Sequence, residues 1–166
     1  MRTLIGALAV LLVAGGLTVL AHGAEWDTIA PGRSTQETVR ARYGGPTKTV
    51  SQKVDGYDSP QWIYESPQAP RGFVRAVFDF GLLTPSGYRA DLLRAMRLEP
   101  RPGIFTRKAI LDGWGAPERF GKEKDADVFF YESGLLVYFA KDGWLAETMI
   151  FTPPQQPPAA APRAKP

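Results

Sequence analysis

Two parts of the chain carry the same short motifs in the same order, and this repetition restricts the fold more than any other feature. The matched blocks are 31–46 with 102–117, 62–66 with 129–133, and 87–91 with 143–147. The spacing between blocks differs, which we interpret as loop insertions and deletions. A duplication of this kind predicts a repeated supersecondary unit. It also favours an extended binding surface over a single catalytic pocket.

The N-terminal residues have the layout of a secretory signal. One basic residue, Arg2, precedes an uncharged run from Thr3 to Ala21, and small residues follow. We predict that residues 1–24 are a signal peptide that exports the protein to the periplasm or cell envelope. A retained N-terminal membrane anchor is the alternative, because the run approaches the roughly 20 residues that span a bilayer.

The rest of the chain divides into two units and a tail. We predict unit 1 at 25–99 and unit 2 at 100–152. Units this small are marginally stable alone, so they should share a sheet or pack closely. The tail, 153–166, is rich in proline and poor in large apolar residues, which is typical of a disordered segment with polyproline character. A spacer or docking role for the tail is the alternative.

Each unit should begin with a short helix and continue as strands. Ser34 and Glu37 form a capping-box pattern, which predicts a helix that stops at Gly44. Thr106 and Gly115 take the same roles in unit 2. We predict an exposed or edge strand at 47–54 and further strands at 61–65, 72–80, 127–132, 135–140 and 144–151. The segment 88–98 fits either a helix or a strand, and its equivalent in the second copy, 144–151, favours a strand. The predicted fold class is α+β, with two tandem units, each a short helical region followed by a three-stranded antiparallel meander.

The repeated motifs resemble the SmpA/OmlA domain, the fold of the small E subunit of the outer-membrane β-barrel assembly machinery. The matching residues are Pro31, Gly32, Thr35, Gly44, Pro46, Trp62 and Tyr64, and then Pro102, Gly103, Thr106, Gly115, Pro117, Phe129 and Tyr131. In tandem, the pattern is also similar to the β-lactamase inhibitory proteins, in which two such units form one concave sheet that grips an enzyme.

The resemblance implies an accessory factor of outer-membrane assembly that binds a protein partner in the cell envelope. The alternative that it implies is an inhibitor of a periplasmic or secreted hydrolase. The chain contains no cysteine, so it lacks the lipidated cysteine of the first family and the disulfides of the second. It is therefore not a lipoprotein, and the resemblance implies fold more firmly than function.

The sequence contains no catalytic or metal-binding signature. Its one histidine, His22, lies at the signal boundary, so no histidine triad can be built. The carboxylate pairs Asp55 with Asp58 and Asp125 with Asp127 are typical of turn residues that bond to their own backbone. We therefore predict no enzyme activity, no cofactor, no metal and no small-molecule substrate.

The charge balance argues against nucleic acid as a partner, since 20 Lys and Arg face 17 Asp and Glu. The densest group of arginines is Arg89, Arg94, Arg97 and Arg101. A solvated face explains these residues most simply. Contact with an anionic lipid, as a peripheral membrane contact, is the alternative.

Aromatic residues on the predicted strands outnumber what one buried face can hold, which favours an exposed aromatic binding surface. Tyr57, Tyr88 and Trp144, together with Arg89, are the candidate protein-binding residues because they lie at strand ends or in loops. The loop at 56–58 is the candidate inhibitory loop.

Overall fold

The computed structural model describes residues 23–154. The predicted signal segment, up to residue 22, and the tail from residue 155 lie outside the described residues. The helices are α1 Gln36–Tyr43 and α2 Arg107–Trp114. The strands are β1 Lys48–Val54, β2 Tyr57–Glu65, β3 Phe73–Thr84, β4 Gly87–Pro100, β5 Arg119–Glu123, β6 Ala126–Phe130, β7 Leu135–Phe139 and β8 Ala146–Phe151. Neither helix in this part of the chain is long and apolar enough to cross a membrane.

Both helices begin at a threonine and end at a glycine. The Thr35 side chain accepts a hydrogen bond from the Thr38 amide, and that of Thr106 accepts one from the Ala109 amide at 3.1 Å. The glycine that follows each helix has a positive φ, 77° in α1 and 79° in α2. The predictions of Thr106 as a cap and of glycine stops are confirmed, because these signals act within one helical turn.

The predicted cap of α1 was wrong by one residue. Ser34 is buried, and its Oγ accepts a hydrogen bond from the Ala30 amide at 3.0 Å. Thr35 caps the helix instead, and Thr38 rather than Glu37 completes the capping box. Two adjacent hydroxyl residues both fit the pattern, and the turn that precedes the helix decides between them.

All eight strands described form one antiparallel sheet in the order β1-β2-β3-β4-β8-β7-β6-β5. The first half of the chain contributes four neighbouring strands, and the second half contributes the other four. They meet where Met96–Leu98 of β4 pair with Met149–Phe151 of β8. The expectation that the two parts share a sheet is met.

The predicted fold class is nevertheless wrong. The fold is β-rich, with one eight-stranded sheet and two helices of eight residues each, not α+β with two tandem helix-plus-meander units. Strand β5 was missed because its sequence, Arg-Phe-Gly-Lys-Glu, carries little β signal. The pairing of β4 with β8 depends on distant residues, and it satisfies backbone groups that would otherwise form two open edges. The interpretation of 88–98 as a strand is confirmed by β4.

The helices and the N-terminal segment cover one face of the sheet, and the core lies between them. Val39 of α1 and Ile110 of α2 are fully buried in one cluster with the strand residues of that face. Two tyrosines connect strand and helix end in the same way. The Tyr64 hydroxyl donates to the Gly44 carbonyl at 2.9 Å, and the Tyr131 hydroxyl donates to the Gly115 carbonyl at 3.0 Å.

Candidate functional site

The sheet face opposite the helices carries one continuous row of side chains. Strand register aligns one residue from each strand, in the order Lys48, Ile63, Val77, Arg97, Ile150, Leu136, Phe130 and Arg119. Their chain neighbours, among them Trp62, Phe78 and Phe151, belong to the core cluster. Because side chains alternate along a strand, the row faces away from the helices. The row thus contains five apolar residues and three cations, with one cation at each end and Arg97 in the middle.

The row is most accessible in the second half of the sheet. Ile63 and Val77 are only 7% and 5% exposed. By contrast, Ile150, Leu136 and Phe130 are half-buried, and Arg97 and Arg119 are exposed. We call these last five residues the open-face patch. It offers a partner an apolar strip with a guanidinium group near each end.

The two arginines of the open-face patch lack an acidic partner within residues 23–154. Neither Arg97 nor Arg119 forms an ion pair there. The Arg119 guanidinium lies 5.7 Å from the centroid of the Phe130 ring, within the range of a cation–π contact. Both cations are therefore available to carboxylates supplied by another molecule.

Polar groups in the first half of the same face satisfy one another. The Arg75 guanidinium lies 2.9 Å from Glu99 and 3.7 Å from Glu65. The Asp79 carboxylate accepts hydrogen bonds from the side-chain amides of its two glutamine neighbours on β1 and β2, at 3.1 and 2.7 Å. These polar groups compensate one another, whereas Arg97 and Arg119 of the open-face patch have no ion pair within the described residues.

Tyr138 borders the open-face patch on β7. Burial raises the pKa of its phenol, and a hydrogen bond to Glu123 at 2.9 Å raises it further. The hydroxyl is consequently held neutral as a donor to the carboxylate. Beside the patch, it supplies polar surface and no reactive phenolate.

The structure brings together two of the four site residues predicted from the sequence. The Tyr57 and Tyr88 rings stack with centroids 4.1 Å apart and planes 13° apart. Tyr57 is 44% exposed, whereas Tyr88 is half-buried. The Tyr88 hydroxyl donates to the Asp58 carbonyl at 2.9 Å and lies 3.0 Å from Ser59 Oγ. Tyr88 therefore supports the β1–β2 hairpin, and Tyr57 presents the accessible ring.

The other two predicted residues lie apart from that pair. Arg89 is next to Tyr88 on β4, but its guanidinium pairs with Asp91 at 2.9 Å. The hydrogen bonds from Arg89 lower the pKa of that carboxyl. Trp144 is 69% exposed in the turn between β7 and β8. The last three residues of β8 pair with Met96–Leu98 near the end of β4, and the two strands are antiparallel. The turn that precedes β8 therefore lies beyond the end of β4, whereas Tyr88 lies at the start of β4, at the opposite end of the sheet.

Sequence reasoning did not find the open-face patch. In β6, β7 and β8 both alternating sets of residues are apolar, as in Phe129 and Phe130 or Leu135 and Leu136. Strand parity therefore could not separate core from surface. The repeat offered one signal, because Lys48 and Arg119 are both basic and each lies two residues after the matched prolines Pro46 and Pro117. No sequence signal aligned Arg97 with them.

The carboxylate pairs noted in the sequence have structural roles. Asp55 and Asp125 occupy turn positions with positive φ, 51° and 70°, as the turn interpretation predicted. The turn interpretation was wrong for Asp58 and Asp127, which lie in β2 and β6. They form ion pairs with Lys53 and Arg107 at 2.8 and 2.6 Å. Burial opposes ionisation of Asp127, yet hydrogen bonds from Arg107 and Lys122 lower the pKa of the carboxyl. Residues 23–154 contain no cluster of His, Asp or Glu that could hold a metal ion.

Arg107 is the most enclosed cation of the second half. Its guanidinium lies 5.0 Å from the Phe129 ring centroid and 4.5 Å from that of Phe139. It also donates to the Gly143 carbonyl at 2.6 Å. With the hydrogen bond to Asp127, two of its five N–H groups are engaged by the sheet and the β7–β8 turn. Arg107 thus ties α2 to the second half of the sheet.

The chain was compared with protein families, curated proteins and solved structures. No family model matches it, and no curated protein or solved structure gives a significant match. The resemblance to the SmpA/OmlA domain therefore stays a prediction from the sequence motifs.

Proposed function

We propose that the protein is an exported, non-enzymatic protein-binding module of the cell envelope, and that the open-face patch binds its partner. The observation that supports this proposal is the half-buried apolar strip flanked by Arg97 and Arg119, which have no ion pair within the described residues. Export is inferred from the signal pattern at the N-terminus. A role as an accessory factor in outer-membrane assembly follows from the sequence resemblance.

The patch defines the chemistry of the partner. Ile150, Leu136 and Phe130 would lose their remaining exposure against aliphatic side chains. The planar guanidinium groups of Arg97 and Arg119 suit bidentate contact with carboxylates. Aromatic and arginine side chains are also the residues that most often dominate binding energy at protein interfaces. We expect a protein surface with an apolar centre and acidic residues at its border.

The test is a crosslinked pull-down from intact cells, quantified by mass spectrometry, with the full-length protein and two double variants. Arg97→Glu with Arg119→Glu reverses both charges of the patch, and these exposed residues have no ion pair to lose. Lys108→Glu with Lys141→Glu makes the same change in charge at exposed residues outside the patch, on α2 and in the β7–β8 turn, and gives up one exposed ion pair, that of Lys108 with Asp112. We expect the patch variant to recover at least tenfold less partner than the unmodified protein, and the control variant to recover the same amount.

The outcomes distinguish the parts of the proposal. Recovery of β-barrel assembly components or other outer-membrane proteins, lost with the patch variant alone, supports the envelope factor. Equal recovery with both double variants would show that the partner binds elsewhere and would refute the patch.

The second candidate function is inhibition of a periplasmic or secreted hydrolase. The β1–β2 hairpin favours it, because Tyr57 is exposed there and its ring is held by stacking on Tyr88. A preorganised aromatic side chain on a hairpin binds with little loss of entropy. Recovery of one soluble hydrolase, lost with Tyr57→Ala but retained with Trp144→Ala and the patch variant, would identify an inhibitor.

A further inference from the structure

A cleft distinct from the open-face patch lies where three connecting segments meet. It is formed by the N-terminal segment, the β2–β3 loop and the β4–α2 connection. Its lining residues are Trp26, Pro67, Ala69, Arg71, Gly72, Arg101, Ile104 and Phe105, and its volume is about 710 Å³. Pockets that bind ligands usually have volumes of roughly 300 to 1,000 Å³. The cleft therefore has the size of a binding site.

The floor of the cleft is aromatic and firmly packed. The Trp26 ring centroid lies 5.5 Å from that of Phe105 and 5.1 Å from that of the buried Phe73. Phe73 and Phe105 stack at 5.3 Å. One wall is tied by the Arg101 amide, which donates to the Gly72 carbonyl at 2.9 Å. A floor fixed in this way is available to a ligand without rearrangement.

The rim of the cleft carries two guanidinium groups without carboxylate partners. Arg71 and Arg101 are exposed, and neither forms an ion pair within residues 23–154. Arg101 donates one hydrogen bond to Ser66 Oγ at 3.1 Å, which leaves most of its donors free. Ile104, beside them, is 52% exposed. The cleft thus combines uncompensated positive charge with apolar surface.

We propose that this cleft binds an acidic, apolar peptide segment. Carboxylates of the segment pair with Arg71 and Arg101, and its aromatic or aliphatic side chains pack on Trp26, Phe105 and Ile104. Arginine suits this role because its planar fork matches a carboxylate and its face stacks on aromatic groups. The two arginines come from different segments of the wall, which favours an extended ligand with more than one acidic group.

This inference is independent of the proposed function, because the cleft shares no residue with the open-face patch. The arginines are separated along the chain by the whole of β3 and β4, and the fold alone brings them together.

The experiment is fluorescence anisotropy with the full-length protein and a fluorescein-labelled peptide, Gly-Phe-Glu-Leu-Asp-Phe-Gly, amidated at its C-terminus. A second peptide replaces Glu and Asp by Gln and Asn. We expect the acidic peptide to bind at least tenfold more tightly than the amide peptide. Arg71→Gln with Arg101→Gln should abolish that preference, and Ile104→Ser should weaken both peptides. Lys53→Gln with Lys124→Gln removes equal charge elsewhere and should change neither affinity.

Several results would overturn the proposal. These are equal binding of the two peptides, unchanged preference in the Arg71 and Arg101 double variant, or equal losses in the lysine control. Displacement of the peptide by an equal concentration of inorganic phosphate would show a general anion site and would also refute a peptide site. Circular dichroism of each variant confirms that the sheet is retained, so that loss of binding is not loss of fold.

Discussion

The two tyrosine–glycine hydrogen bonds provide the sharpest test of the structure. Tyr64→Phe and Tyr131→Phe each remove one hydroxyl that donates to the carbonyl at a helix C-cap, at 2.9 and 3.0 Å. Both rings are almost completely buried, so phenylalanine retains the packing. The two sites share no hydrogen-bond partner and lie in different halves of the sheet. The two losses should therefore be independent.

The expected magnitude follows from the surroundings of the lost bond. The acceptor carbonyls belong to Gly44 and Gly115, which are exposed, so water can replace the phenol. Each substitution should then cost about 1 kcal/mol of unfolding free energy, the net value of a neutral hydrogen bond. Independent sites add, so the double variant should lose about 2 kcal/mol.

The assay is urea unfolding followed by tryptophan fluorescence. With an m-value of about 2 kcal/mol/M, each single variant should lower the midpoint by about 0.5 M and the double variant by about 1 M. Tyr57→Phe is the matched control, because no hydrogen bond from the Tyr57 hydroxyl is found within the described residues, and its midpoint should not move. A wild-type midpoint for either buried-site variant would refute the contribution of that bond. A double-variant shift far from the sum would refute the independence of the two halves.

Three further predictions concern the cap, the core and alkaline pH. Thr106→Ala removes the side-chain acceptor that caps α2 and should cost about 1 kcal/mol in urea unfolding. Leu98→Ala, at a fully buried position that pairs with Met149 in the β4–β8 contact, should cost roughly 2–5 kcal/mol. Leu83→Ala, 66% exposed, should stay within about 0.5 kcal/mol. Burial raises the pKa of Tyr131 to about 12, above its value of about 10 in an unfolded chain. The folded state therefore holds this proton more tightly, so its contribution to stability is retained below pH 10 and falls as pH rises from 10 towards 12. Tyr131→Phe should flatten that part of a profile of unfolding free energy against pH. An unchanged profile would contradict the raised pKa of Tyr131.

Local signals predicted much of the secondary structure. Thr106 and Gly115 mark the ends of α2 because caps act on backbone groups within one turn. The local pattern at 88–98 fitted either a helix or a strand, and the equivalent segment of the second copy, 144–151, correctly predicted β4. Ser34 shows the limit of such reasoning, because the turn before α1, and not the motif, selected Thr35 as the cap.

The candidate site was less predictable. Tyr57 and Trp144 are exposed at a strand end and a turn, positions that the sequence pattern indicated. Tyr88 proved to be half-buried beneath Tyr57, and Arg89 is paired with Asp91. The sequence showed which residues were polar or aromatic, but it could not show which of them would find a partner.

By itself, then, the sequence determined where the helices stop, where all strands but β5 run and that motifs recur along the chain. Only the tertiary structure decided that β4 and β8 pair to make one sheet, that Arg97 and Arg119 flank an apolar strip, and that Arg71 and Arg101 share a cleft. The physical reason is the range of the interactions. Helix caps and strand alternation depend on residues a few positions apart in the chain. Strand pairing and loop packing join residues that are distant in the chain, so the partner of each strand or loop depends on the whole fold.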